Sequence, residues 1–279
     1  MQQTQTQKAG AKTDETRRNL KTQAVKHQII KTFCRPGWVG AMLAALCLSE
    51  WAISAAPFQI LPPSSLPYGL SYQEWSAKWC QFFYGQSTNN MQPLGSPGIC
   101  EGPASQVLFL NGAPVSTTAT NHATITHDTS LFFPILAFTA DNTACPLSDF
   151  TTNSAETLAA EASAGWNAAA TLTTCTIDGV AVPGLENPTN SIYNVVSTPF
   201  SYTTAEKDNI VAVSEGEPCL PGGLTVWPAV ADGAYLMLAP LSPGEHVIHF
   251  VGVGGPLSSP FVKLDITYHI TVLPFDRGF

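Results

Sequence analysis

The sequence predicts a mainly β protein: a β-sandwich, jelly-roll or immunoglobulin-like, with two inserted helices. Three observations lead there. In Phe261–Val272, the residues Val262, Leu264, Ile266, Tyr268, Ile270 and Val272 alternate with Lys263, Asp265, Thr267, His269 and Thr271. A period of two sustained that long puts one face in a core and the other in water. Residues 131–138 (LFFPILAF) are almost continuously apolar, as in a strand buried on both faces, with Pro134 marking an edge or a bulge. The chain also carries 21 Gly and 22 Pro, which suits many short strands joined by turns.

The elements follow in chain order. Residues 57–70 are a Pro-rich lead-in. Ser71 and Glu74 have capping-box spacing, Tyr72, Trp75, Trp79 and Phe82 recur at helical spacing, and Gly85 offers a stop. The helix expected over about 72–84 has an aromatic face that packs on a sheet; an aromatic sugar platform is the sharper alternative. Residues 86–104 form a loop, and Gln106–Leu110 a strand with a turn at Asn111-Gly112. A second helix starts at Asn153–Glu156 and ends near Ala170, with Leu158, Ala162 and Trp166 on one side. Asp178-Gly179 and Asp232-Gly233 are two-residue hairpin signals. Leu241–Val251 reads as a turn feeding a strand, linked through Gly252–Ser259 to the alternating strand at the end.

Residues 1–55 read as a signal peptide with a long basic n-region. Lys8, Lys12, Arg17, Arg18, Lys21, Lys26, Lys31 and Arg35 precede a short apolar run from Trp38 to Ser49, and small residues at 52–56 allow cleavage after Ser54 or Ala55. A permanent anchor needs that run to continue to Ala56, and Glu50 interrupts it. A lipoprotein reading of Cys47 lacks the small preceding residue, since Leu46 stands there. The expectation is a secreted or periplasmic protein without a stable membrane span after cleavage.

With 11% charged and 44% hydrophobic residues, the chain is too apolar for a disordered protein. Beyond residue 54, only Lys78, Lys207, Lys263 and Arg277 oppose seventeen carboxylates. Such a body cannot neutralise a row of phosphates, which argues against nucleic-acid binding. Five cysteines follow the leader: Cys80, Cys100, Cys145, Cys175 and Cys219. None is in a C-x-x-C pair, so zinc-ribbon and thioredoxin-like readings lack their spacing. An oxidising compartment suggests two disulfides and one free thiol, with fifteen pairings open.

Several segments resemble a group of uncharacterised exported bacterial β-rich proteins. They are Gly69–Trp79 (with its EWSAKW core), Val107–Gly112, Leu131–Ile135, Ile177–Val180, Leu241–Phe250 and Asp265–Val272. They occur in order over most of the chain, so the resemblance implies one β-rich domain over 56–279, and export; it implies no activity. The group usually has an aromatic residue where this chain has Cys80, and a cysteine near position 123 where this chain has Ala123. That departure leaves Cys100 needing a partner and makes Cys80 the candidate. The expected disulfides are Cys80–Cys100 and Cys145–Cys175, the second tying together the ends of the inserted helix, with Cys219 free.

Chemistry-bearing residues are sparse. His246 and His249 have helical spacing, but on a strand they face opposite ways and cannot bind one metal as neighbours. His122 and His127 lie in a Thr-rich stretch where Asp128 could orient His127. A cross-strand metal site from His269, Asp265 and another histidine is geometrically open. Glu215 and Glu217 could serve glycoside hydrolysis, yet they read as a solvated turn. No nucleophile elbow, H-E-x-x-H motif or phosphate-cradling glycine loop occurs. No cofactor is expected. Two function classes fit: a non-catalytic exported binding or surface protein with an unknown extracellular ligand, or a secreted hydrolase whose residues come from separate loops.

Overall fold

A computed structural model of the chain describes residues 58–275, apart from 90, 92–93, 96–105, 114–115, 215 and 217. The expected leader, Cys100, and the pair Glu215 and Glu217 lie outside the described residues.

The strands are β1 (Ile60–Leu61), β2 (Leu94–Gly95), β3 (Val107–Leu110), β4 (Thr117–Thr126), β5 (Ser130–Asp141), β6 (Ala170–Ile177), β7 (Val180–Ala181), β8 (Asn194–Val196), β9 (Phe200–Thr203), β10 (Thr225–Leu238), β11 (Gly244–Gly254) and β12 (Val262–Leu273). The helices are α1 (Tyr72–Tyr84), α2 (Ala155–Ala169) and the short α3 (Ile210–Ser214). One sheet runs β1-β10-β5-β3-β2, with β8 and β9 also on β10; the other runs β4-β12-β11-β6-β7. Pairing is antiparallel except for β3–β5 and β4–β12, which are parallel.

The apolar run of β5 is explained by a layer on each side of its sheet. Phe132 joins Ala229, Ala231, Tyr235 and Met237 of β10 in a cluster under α1. Leu131, Phe133 and Ile135 point the other way, with Leu236 and Leu238, into the core shared with Ile248, Phe250, Ile266, Tyr268 and Ile270 of the second sheet. Alternation thus persists, but both faces are apolar because both are covered. Pro134 falls at a bulge, where the β5–β10 register shifts beside Tyr235; a proline inside a sheet is accommodated at such an irregularity because it has no N–H to give the ladder.

Helix α1 begins with the expected capping box. The Glu74 N–H donates to Ser71 Oγ at 3.2 Å, and the Ser71 N–H donates to the Glu74 carboxylate at 2.8 Å. Its aromatic face packs into the core, with Tyr72, Trp75, Trp79 and Phe83 buried. Helix α2 is capped by Ser154 and buries Leu158, Ala162 and Trp166. Asp178 and Gly179 form the expected tight turn, both with positive φ, between β6 and β7.

Two expectations fail. Asp232-Gly233 is no hairpin turn: β10 runs straight through it, and these residues pair with Phe138 and Ala137 on one side and Val196 and Val195 on the other. Glycine is needed there for close approach, since a β-carbon on Gly233 would lie 2.6 Å from the Leu136 carbonyl oxygen. The disulfides also differ. Cys145 is bonded to Cys219, with their Cα atoms 5.8 Å apart. Cys175 points from β6 into the core between the sheets and cannot reach the loop that holds Cys145. Cys80 is a buried free thiol on α1, 3.8 Å from the Tyr235 hydroxyl; its expected partner, Cys100, lies outside the described residues.

Candidate functional site

One concavity among the described residues is a cleft of about 470 Å³ lined mostly by aromatic and aliphatic side chains. Three segments far apart in sequence build it. The last turns of α1 supply Trp79, Phe83 and Tyr84, β5 supplies Pro134 and Leu136 to Thr139, and the start of β12 with the residue before it supplies Phe261, Val262 and Leu264. Helical spacing of four sets Trp79 above Phe83, and their rings stack 4.9 Å apart. Trp79 is fixed by its indole N–H, which donates to the Leu110 carbonyl at 2.9 Å. On the opposite side, Phe138 meets Phe261 edge to face at 6.4 Å. Phe261 is 62% exposed and forms the rim.

Polar groups here are few: the Tyr84 hydroxyl donates to Thr139 Oγ1 at 2.7 Å, and Ser116 lines the mouth. No charged side chain lines the cleft among the described residues. Cys80 is the one thiol among its described lining residues. Burial pushes that thiol up to about 12, only partly offset by the Tyr235 hydroxyl, so it stays protonated and unreactive near neutral pH. Sequence reasoning identified the aromatic helix face but not Phe138 or Phe261. Nothing local in the sequence marks residues that meet only after two sheets and a helix pack together.

The histidines do not converge. Among the described residues, no group of three or more metal-ligating side chains is close enough to hold an ion. His127 packs edge-on against Phe275, and Asp128 takes hydrogen bonds from Gln106 and Thr126 instead of orienting His127. His249 Nε2 lies 2.9 Å from Asp265 on the outer face of the second sheet. His122 and His269 stand side by side on paired strands, their rings stacked 4.9 Å apart.

Among the described residues, His246 forms the one arrangement that resembles a catalytic triad. Its Nδ1 lies 2.7 Å from Asp178, and its Nε2 lies 3.5 Å from Ser242 Oγ. The same Nε2 is only 2.8 Å from the Ser242 carbonyl oxygen. A carbonyl can only accept, so Nε2 must carry a proton and cannot take one from the hydroxyl. Burial pushes the imidazole pKa down, but the hydrogen bonds to Asp178 and the Ser242 carbonyl, with the charges of Asp178 and Glu245, raise it above its ordinary value. The group is a clip between the β6–β7 turn and β11, since Asp178 also accepts from the Val247 N–H at 2.8 Å.

No family model matches this sequence, and no curated protein or solved structure matches the chain.

Proposed function

We propose that this chain is an exported, non-catalytic binding protein for a small, neutral, apolar ligand, aromatic or acyl in character. The observation that carries this reading is the cleft between α1, β5 and β12. Its volume falls in the range of small-molecule sites. Its lining side chains are mostly aromatic and aliphatic, its polar side chains are hydroxyls and one thiol, and no ionised group lines it among the described residues. Acid–base or nucleophilic chemistry would need a titratable group near the working pH; burial keeps the one thiol present from serving. A charged ligand would be desolvated there without a partner, which disfavours it strongly. The disulfide supports an oxidising destination.

The test uses a neutral fluorescent probe, N-phenyl-1-naphthylamine. Saturable, one-to-one enhancement of its fluorescence is expected with the parent chain. Ala113→Trp, which fills the cleft from its mouth, should abolish the enhancement while leaving the thermal melt nearly unchanged. Absence of binding, or binding that survives Ala113→Trp, would overturn the reading.

A further inference from the structure

We infer that Trp227 is the platform of a second binding site, one for a neutral oligosaccharide that spans the two concavities meeting at this side chain. The first observation is how the chain presents it. β9 and β10 pair at Thr203 with Thr225, at Tyr202 with Val226 and at Phe200 with Ala229. Trp227 and Pro228 together therefore oppose the single residue Ser201, which makes a β-bulge. A bulge re-aims a side chain and recurs beside functional sites. Here Trp227 is 62% exposed, while Val226 and Ala229 on either side of the bulge are buried. Opposite the bulge, the Ser201 carbonyl accepts a hydrogen bond from Gln81 Nε2 of α1 at 2.9 Å, so the irregularity is braced.

The second observation is the pair of concavities. Trp227 lines both, and their volumes are about 270 and 290 Å³. Neither shares a lining residue with the cleft between α1, β5 and β12. The first lies against the segment after β5, which supplies Asn142, Phe150, Thr152 and Asn153. Phe150 is 37% exposed and gives this side a second aromatic ring. The other lies against α1, where Glu74, Lys78 and Gln81 follow one side of the helix at spacings of four and three. The segment after β5 is already fixed in shape. Asn142 Oδ1 accepts from Thr151 Oγ1 and from the Asn153 N–H, both at 2.8 Å, and Cys145 is bonded to Cys219. Such pre-organisation lowers the cost of binding.

The third observation is the chemistry around the ring. A pyranose carries C–H groups on its faces and hydroxyls around its rim. The face of an aromatic ring is negative and attracts the C–H groups. Amide, hydroxyl, carboxylate and ammonium groups to either side can exchange hydrogen bonds with the rim. An apolar ligand fits poorly, because those polar groups would lose water without replacement. A polyanion fits no better. Lys78 is offset by Glu74 in the same concavity, and only four cations oppose seventeen carboxylates beyond residue 54. Two concavities that meet at one ring suit a chain of sugar units more than a single one.

The experiment is native electrophoresis of the full chain through gels that contain hydroxyethyl cellulose, laminarin, pullulan or galactomannan, all neutral. At least one polymer should retard the parent. In calorimetric titration, the hexasaccharide of that polymer should bind more tightly than its disaccharide, because only the longer chain spans both concavities. Trp227→Ala should remove the retardation and weaken the hexasaccharide by about tenfold or more, as truncation of a central aromatic anchor does. Its thermal melt should stay nearly unchanged, because the side chain is exposed. Phe150→Ala and Lys78→Ala, one on each side of Trp227, should each weaken the hexasaccharide. Free passage of the parent through all four polymers overturns the inference. So does retardation that survives Trp227→Ala, or a hexasaccharide affinity that neither flanking variant changes.

Discussion

Cys145 and Cys219 are joined across 74 residues, so one bond ties the loop after β5 to the segment before β10. The closed span contains α2, β6 to β9 and α3, which includes every connection between the two central strands of the first sheet. By loop entropy, a cross-link of that length contributes about 4 kcal/mol. Cys145→Ser with Cys219→Ser should lower stability by that order, read from urea unfolding. Peptide mapping without reductant should recover the 145–219 bridge.

The Asp178–His246 clip gives stability a pH dependence with a definite sign. The folded pKa of His246 lies above the unfolded value of about 6.5. Its contribution is therefore complete below about pH 6.5 and is lost as pH rises through the higher folded value. His246→Ala should cost about 1.5–3 kcal/mol in mildly acidic solution, as for hydrogen bonds to a charged group. The gap between parent and variant should narrow as pH rises. A gap that widens above neutrality would mean that the imidazole is neutral when folded.

Ile266 and His269 lie three residues apart on β12 and face opposite ways, the first fully buried and the second on the outer face. Ile266→Ala should cost about 2–5 kcal/mol. His269→Ala should cost within about 0.5 kcal/mol. Thermal melts of both variants check the register of the strand.

Gly252 of β11 faces β5 so closely that a β-carbon would lie 2.4 Å from the Ile135 carbonyl oxygen. Backbone cannot yield as a flexible side chain does. Gly252→Ala should therefore separate the sheets locally and cost about 1–3 kcal/mol, read from chemical denaturation.

Burial holds the thiols of Cys80 and Cys175 up to about 12. In the native protein near neutral pH, both should resist iodoacetamide and react only after unfolding. Mass spectrometry of the labelled peptides separates the two states.

What lay in the sequence was what local physics decides. The capping box at Ser71 and Glu74, the apolar face Leu158, Ala162 and Trp166, the tight turn at Asp178-Gly179 and the alternation of β12 each need only a few neighbouring residues. So did the mainly β character and the buried strand at 131–138. Tertiary structure decided what depends on which distant segments meet. Asp232-Gly233 has the composition of a turn, yet strands on both sides hold it straight, and only their approach explains the glycine. Cys145 could be assigned a partner only once β6 had carried Cys175 into the core. Trp79, Phe138 and Phe261 enclose a cleft because α1, β5 and β12 converge, and no spacing in the chain encodes that. Periodicity is set within one element, whereas a site is set by the packing of several.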